Sequence, residues 1–249
     1  MIVLEELSKS YGAIRAVHRL DLEVRPGEVF GFLGPNGAGK TTTIRMMAGL
    51  LQPSSGRVVV GGYDMAAQPE AAKRILGYVP DRPFLYERLS AIELLRFLAG
   101  IHRLPRDVAR ARALKLLGEF DLLGRAEDLV QSYSHGMKQR LAMCASLLHD
   151  PQVLVVDEPM VGLDPRGARF LKSLLRRICR EQEKTVFLST HSLEAAEELC
   201  DRLGIIHHGE LVACGTLAEL RQLSGSERAR LEEVFFRVTA EEVEQGDGG

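Results

Sequence analysis

Hydrophobic and polar positions along this chain follow two rhythms, and the order in which they alternate sketches a fold. Residues 2–7 and 16–24 read as strands, the second alternating through Val17, Leu20, Leu22 and Val24. Pro26-Gly27 is a turn, and Glu28–Leu33 reads as a buried strand. From Thr41 to Leu51 the spacing becomes helical, with Ile44, Met47 and Leu51 on one face. A turn over Gln52–Gly56 leads to a strand at Arg57–Val60 and a reversal at Gly61-Gly62. A short helix over 69–75 precedes a strand at Leu76–Val79.

The pattern then turns helical. Ser90-Ala91-Ile92-Glu93 is a capping box that opens a helix to Ile101. Pro105 precedes a second helix through Phe120, and a third starts near Ser134 and carries Leu141, Met143, Cys144, Ala145 and Leu148. Residues from about 82 to 150 therefore read as a helical insert forming a lobe. Beyond it strands and helices alternate, the mark of a parallel sheet. The strands are Val153–Val156, Val186–Leu188 and Leu203–Ile206, and the helices 165–180 and 193–200. Helix 165–180 places Phe170, Leu171, Leu174, Leu175 and Ile178 on one face. Helices over 217–223 and 227–238 close a single expected domain, 1–238, and residues 239–249 are expected to form a frayed acidic tail.

Composition narrows the picture little but usefully. With 249 residues, 45% hydrophobic and 27% charged, the chain can bury a full core without staples. Its formal net charge of −2 supplies no bulk field for nucleic acid, and no nucleic-acid partner is expected. Cys144, Cys179, Cys200 and Cys214 have neither disulfide nor metal-ligand spacing and read as reduced thiols of a cytoplasmic protein. No apolar run is long enough to span a bilayer. The N-terminus meets Glu5 and Glu6 at once and is not expected to be a signal peptide. Any membrane role must then come through a partner chain.

The chemistry is concentrated between the strand ending at Leu33 and the helix after it. Gly34-Pro35-Asn36-Gly37-Ala38-Gly39-Lys40-Thr41 satisfies G-x-x-x-x-G-K-S/T in the strand–loop–helix context the motif needs. Glycines let successive N–H groups face phosphate oxygens, and the helix N-terminus adds partial positive charge. Lys40 would bridge β- and γ-phosphates, and the Thr41 hydroxyl would bind Mg²⁺. A nucleoside triphosphate is the implied ligand. Val153–Val156 is followed by Asp157 and Glu158, which suit a metal ligand and a base for water. Ser134-His135-Gly136 reads as a helix N-terminus capped by Ser134, a place that also accepts anions.

Together, Gly34–Thr42, Ser134–Arg140, Asp157–Pro159, Gly162-Leu163-Asp164 and Thr190-His191 resemble the nucleotide-binding subunit of ATP-binding cassette (ABC) transporters. The likeness spans essentially the whole chain, and the Ser134–Arg140 segment separates this family from kinases and small GTPases. It implies an α/β fold: a P-loop NTPase of the ABC type, with a RecA-like parallel-sheet core, an antiparallel β subdomain and a helical subdomain. It implies ATP and Mg²⁺ as ligands, with Gly34, Pro35, Asn36, Gly37, Ala38, Gly39, Lys40, Thr41, Thr42 and Asp157 around the phosphates. Tyr11 would stack on adenine, Thr41, Asp81 and Asp157 would face the metal, and Glu158 and His191 would be catalytic. Ser134 and Gly136 would contact the γ-phosphate held by an opposite subunit, so two chains would sandwich two ATP molecules head to tail. Asp164 doubles as the N-cap ahead of Pro165 and as a residue of the loop crossing that interface.

The implied partners are a second ATPase subunit, homodimeric or heterodimeric, and membrane-spanning permease subunits on separate chains. The expected location is the cytoplasmic face of the cell membrane, and the likeness is nearest to cassettes of bacterial export systems. Pro83-Phe84-Leu85-Tyr86-Glu87 falls where the family receives a helix of the membrane subunit; packing within the lobe is the other reading. The chain departs from the family at Asp81, where Gln is usual, at His135 in place of Gly, and at Met137 in place of Gln. A carboxylate at 81 can hold a metal but cannot donate an amide N–H. Other readings are an ABC ATPase with a soluble role in DNA repair or translation, a phosphotransferase on the same loop, and an ATP-gated binding module without hydrolysis.

Overall fold

The computed structural model describes residues 1–223 and 229–246, with residues 240–246 described for their backbone alone. Strands β1 (Ile2–Tyr11) and β2 (Ile14–Val24) form an antiparallel hairpin, longer at both strands than the apolar alternation suggests. Backbone pairing carries them out to Tyr11 and Ile14, and bulges interrupt the alternation. Glu6 and Arg19 have φ of 43° and 41°, and the register shifts around them. Each bulge turns the chain so that Leu4 and Leu7, and likewise Val17 and Leu20, are buried despite their odd spacing. The Arg19 guanidinium reaches the Glu6 carboxylate at 2.6 Å, and the Glu6 N–H donates to Asp21 Oδ1 at 2.7 Å.

Strand β3 (Val29–Leu33) leaves for a second sheet and is buried at every position, as a central parallel strand must be. Helix α1 (Lys40–Met47) follows the glycine loop. It stops short of the Leu51 expected from periodicity, because Ala48 caps it and Gly49 turns at φ 63°. Strands β4 (Ser55–Val60) and β5 (Tyr63–Asp64) complete the first sheet, in the order β2-β1-β4-β5. Helix α2 (Pro69–Arg74) then leads to β6 (Leu76–Val79).

Three helices, α3 (Ala91–Ile101), α4 (Arg106–Glu119) and α5 (His135–Leu147), form the lobe. The capping box is present: Glu93 N–H donates to Ser90 Oγ at 3.3 Å, and Ser90 N–H to Glu93 Oε2 at 2.8 Å. Leu95, Leu117, Phe120 and Leu141 from the lobe share one apolar cluster with Val79, Leu154 and Val156 of the sheet. The lobe is thereby seated on the strands that carry the acidic residues.

The remaining elements are β7 (Val153–Val156), α6 (Pro165–Gln182), β8 (Thr185–Thr190), α7 (Leu193–Leu199), β9 (Arg202–His207), β10 (Glu210–Gly215), α8 (Leu217–Leu223) and α9 (Leu231–Gly246). The second sheet runs β10-β9-β3-β8-β7-β6, parallel except where β10 turns back on β9. Strand β10 is not foreseen in the periodicity, because its edge position leaves Leu211 and Val212 only partly covered. On α6, Leu171, Leu174, Leu175 and Ile178 are buried as expected, whereas Phe170 lies at the rim, edge-on to Phe120. Helix α9 begins at Leu231 and runs through Gly246, taking in part of the expected tail. Residues 224–228, where that helix was expected to start, and 247–249 lie outside the described residues.

Candidate functional site

Parallel strands deliver their C-terminal ends to one edge of the sheet, and the phosphate loop occupies that edge. Leu33 of β3 pairs with Thr190 of β8, and Val156 of β7 pairs with Leu188. The residues that follow these strands therefore converge: Gly34 after β3, Asp157 and Glu158 after β7, and His191 after β8.

The loop requires glycine where other chain presses on it. A Cβ at Gly34 would lie 2.4 Å from the Ile206 carbonyl oxygen, and one at Gly39 would lie 2.5 Å from that of Ala16. Gly39 is also the N-cap of α1, with φ 107° and no side-chain cap, so the first N–H groups of the helix stay available to an anion. The loop encloses a cavity of about 230 Å³, whose walls include Asn36, Lys40, Thr41, Thr42, Asp81 and Glu158.

Lys40 is almost wholly buried at the floor, donating to the carbonyls of Gly34 at 2.6 Å and Pro35 at 3.1 Å. Its Nζ stands 3.3 Å from Glu158 Oε1, an ion pair in which that oxygen has no hydrogen-bond partner. The other carboxylate oxygen of Glu158 lies 2.9 Å from His191 Nδ1, and the His191 ring is half exposed. Glu158 has a left-handed backbone, φ 49°, sparsely populated by residues other than glycine.

Asp157 is 1% exposed and accepts a hydrogen bond at Oδ1 from Ser189 Oγ at 2.6 Å. Burial pushes its carboxyl above the usual carboxylate range, and the charges of Glu158 and Asp81 push the same way. Hydrogen bonds from Ser189 and Thr41 oppose this shift. Such a carboxylate is short of positive charge. Thr41, Asp81 and Asp157 present hard oxygen donors, the set that suits Mg²⁺. Among the described residues no group of three or more His, Cys, Asp or Glu is arranged to hold a metal unaided. Nucleotide phosphates and water would complete the shell of a metal bound here.

Ser134 and Gly136 are not brought to this cavity. Ser134 caps α5, accepting from Met137 N–H at 3.4 Å, and Asp164 caps α6, accepting from Gly167 N–H at 2.6 Å. Both helix starts open onto a second cavity of about 590 Å³ that shares no lining residue with the first. The His135 ring rests on Gly162, where an added Cβ would come within 3.1 Å of it, linking the two helix starts. Tyr11 is half exposed at the turn of the β1–β2 hairpin, with Lys9 Nζ 5.4 Å from its ring centre. It does not line the phosphate cavity, whereas Ala16 of β2 does. Ser189 falls one residue beyond the apolar strand Val186–Leu188 that the periodicity predicts, and the structure extends β8 to include it.

A glycine loop on a parallel sheet, with a buried lysine and an acidic strand end facing it, defines a P-loop nucleoside triphosphatase. Comparison with known proteins makes this specific. The family described as ABC transporter matches residues 17–161. The linearmycin resistance ATP-binding protein LnrL of Bacillus subtilis is 40% identical over 88% of this chain and 70% of its own. The bacitracin transport ATP-binding protein BcrA of Bacillus licheniformis is 39% identical over 85% and 68%. A solved ATP-binding subunit of an ABC transporter superposes with a TM-score of 0.90 at 34% identity, covering 96% of this chain and 99% of that one. A dimeric, post-hydrolysis structure of the ATP-binding cassette MJ0796 bound to ADP and Pi gives 0.81 at 26% identity, covering 87% and 99%. The chain belongs to the ABC transporter family, and is an ATP-binding ATPase subunit of the ABC fold.

Proposed function

We propose that two ATPase subunits, at least one of them this chain, close head to tail around two ATP molecules and drive transport by membrane-spanning subunits on separate chains. One observation carries this reading: the phosphate loop and the Ser134 helix start lie in separate cavities of the same chain. A protomer thus presents one half of a site on each of two surfaces, and a head-to-tail partner completes both.

The residue roles follow from position. Lys40 turns from the Gly34 and Pro35 carbonyls to the β- and γ-phosphates, and the first turn of α1 cradles them. Thr41 and Asp157, with Asp81 directly or through water, would hold Mg²⁺, which when bound neutralises charge on the phosphates. Glu158 takes the proton of the water that attacks the γ-phosphorus, and His191 holds the Glu158 carboxylate in place. Ser134 and Gly136 reach the γ-phosphate bound by the opposite chain, and Tyr11 takes the adenine side. Loss of the γ-phosphate removes the contact both chains share, and the dimer opens.

The membrane partner would dock on the lobe. Phe84 is 96% exposed, and Tyr86 and Phe97 stack edge-to-face at 5.3 Å in a shallow pocket with Leu89. An exposed aromatic patch of this kind fits a partner helix. Among the described residues no helix is long and apolar enough to cross a membrane. That fits a subunit held at the cytoplasmic face by its permease. Export is the favoured direction, supported by relatives whose names record linearmycin resistance and bacitracin transport.

The test is the solution mass of a Glu158→Gln variant, by light scattering, with and without ATP. A shift from monomer to dimer with ATP alone, together with loss of turnover, is the expected outcome. Wild-type turnover in this variant would overturn the assignment of the base. No shift would overturn self-pairing and leave a different partner subunit.

A further inference from the structure

The hydroxyl of Ser189 sits at the junction between the two carboxylates and is fully buried at the end of β8. Its Oγ lies 2.6 Å from Asp157 Oδ1 and 2.9 Å from the Glu158 backbone nitrogen. A peptide N–H can only donate, so the hydroxyl accepts there, and its single proton goes to Asp157. One side chain therefore holds the carboxylate of one residue and the backbone of the next.

Each hold has a consequence. Fixing Oδ1 fixes the rotation of the Asp157 carboxylate, which Thr41 touches as well. Anchoring the Glu158 N–H holds that residue at φ 49°, a conformation its own preferences resist. This conformation accompanies a Glu158 carboxylate lying between Lys40 and His191. The next residue on the strand is engaged elsewhere: the Thr190 carbonyl accepts from Gly34 N–H, and the Thr190 Oγ1 accepts from Ser192 N–H.

We propose that Ser189 is a positioning residue for ATP hydrolysis, setting Asp157 toward the metal and, by holding the Glu158 backbone, the Glu158 carboxylate toward the attacking water, both through one hydroxyl. The inference rests on the roles of Asp157 and Glu158 proposed above. It predicts that losing the hydroxyl weakens the metal-dependent part of nucleotide binding while sparing the part made by the phosphate loop.

The experiment measures the affinity of a fluorescent, hydrolysis-resistant ATP analogue, in Mg²⁺ and in EDTA, for wild type, Ser189→Ala and Ser189→Thr. The Ala variant is expected to lose about tenfold of the gain that Mg²⁺ confers, as removal of a residue orienting a metal ligand does. Its affinity in EDTA is expected to stay at the wild-type value, its kcat to fall, and Ser189→Thr to restore both. A merely structural role would lower the melting temperature and both affinities together. A Mg²⁺-dependent gain and kcat within twofold of wild type in Ser189→Ala would overturn the proposal. Should the Ala variant not fold, Ser189→Cys, of similar size but a weaker donor, replaces it under the same criteria. A wild type with no Mg²⁺-dependent gain would overturn instead the metal reading on which the inference rests.

Discussion

His149 shows what burial does to a single titratable ring away from the nucleotide site. It stacks on His102 at 3.9 Å, its Nε2 is 3.1 Å from the Leu76 carbonyl, and its Nδ1 has no partner. Burial first, then the neighbouring His102, pushes its pKa down to about 4; Lys184 pushes the same way, while the Leu76 carbonyl and Asp150 push back. The folded pKa lies below the unfolded value near 6.5, so above pH 6.5 neither state is protonated and the ring costs nothing. As pH falls from 6.5 toward 4, the unfolded chain binds a proton that the folded chain refuses, and stability drops. Between pH 7 and pH 5 this one group accounts for about 2 kcal/mol. Melting temperatures at the two pH values should therefore diverge for the wild type and converge for His149→Gln. An equal pH slope in the variant would remove His149 as the cause.

At the scale of elements, local signals were legible because they depend on neighbours a few residues away. The capping box at Ser90 and the N-caps at Ser134 and Asp164 all formed, each satisfying N–H groups its own helix leaves open. Ser90→Ala is expected to cost roughly 1 kcal/mol. In a chain this size that lowers the melting temperature by about 2–4 °C. ATP affinity should not move, since Ser90 lines neither cavity. A drop in ATP affinity would mean that the lobe's entry sets the site as well. Element ends were less legible. The strands β1 and β2 run past their apolar alternation because backbone pairing, not side-chain pattern, carries them to Tyr11 and Ile14. Strand β10 exists because β9 offers it an edge, a fact absent from its own residues.

For the whole molecule, the proposed pairing of two copies of this chain, each completing the other's site, predicts complementation between defective chains. A Lys40→Ala chain would keep a sound Ser134 surface, and a Ser134→Arg chain would keep a sound phosphate loop. Each alone should be inactive, and a mixture should recover activity, because one of the two sites in the mixed dimer is intact. With random pairing and independent sites, recovery would be roughly a quarter of wild type. No recovery on mixing would rule out sites shared between two copies of this chain.

The sequence by itself determined the phosphate loop, the acidic strand end, the capped helix starts and the order of the strands and helices other than β5 and β10. These are written in contiguous residues, whose glycines, caps and apolar periods act over a few positions of backbone. Only the tertiary structure decided what those residues do to one another. It brought Lys40, Glu158 and His191 within contact distance across three strand ends, and left Ser134 and Asp164 on another surface. It also set Ser189 between Asp157 and Glu158. Such pairings are fixed by sheet register and by burial, which join residues far apart in the chain, and no local pattern encodes them.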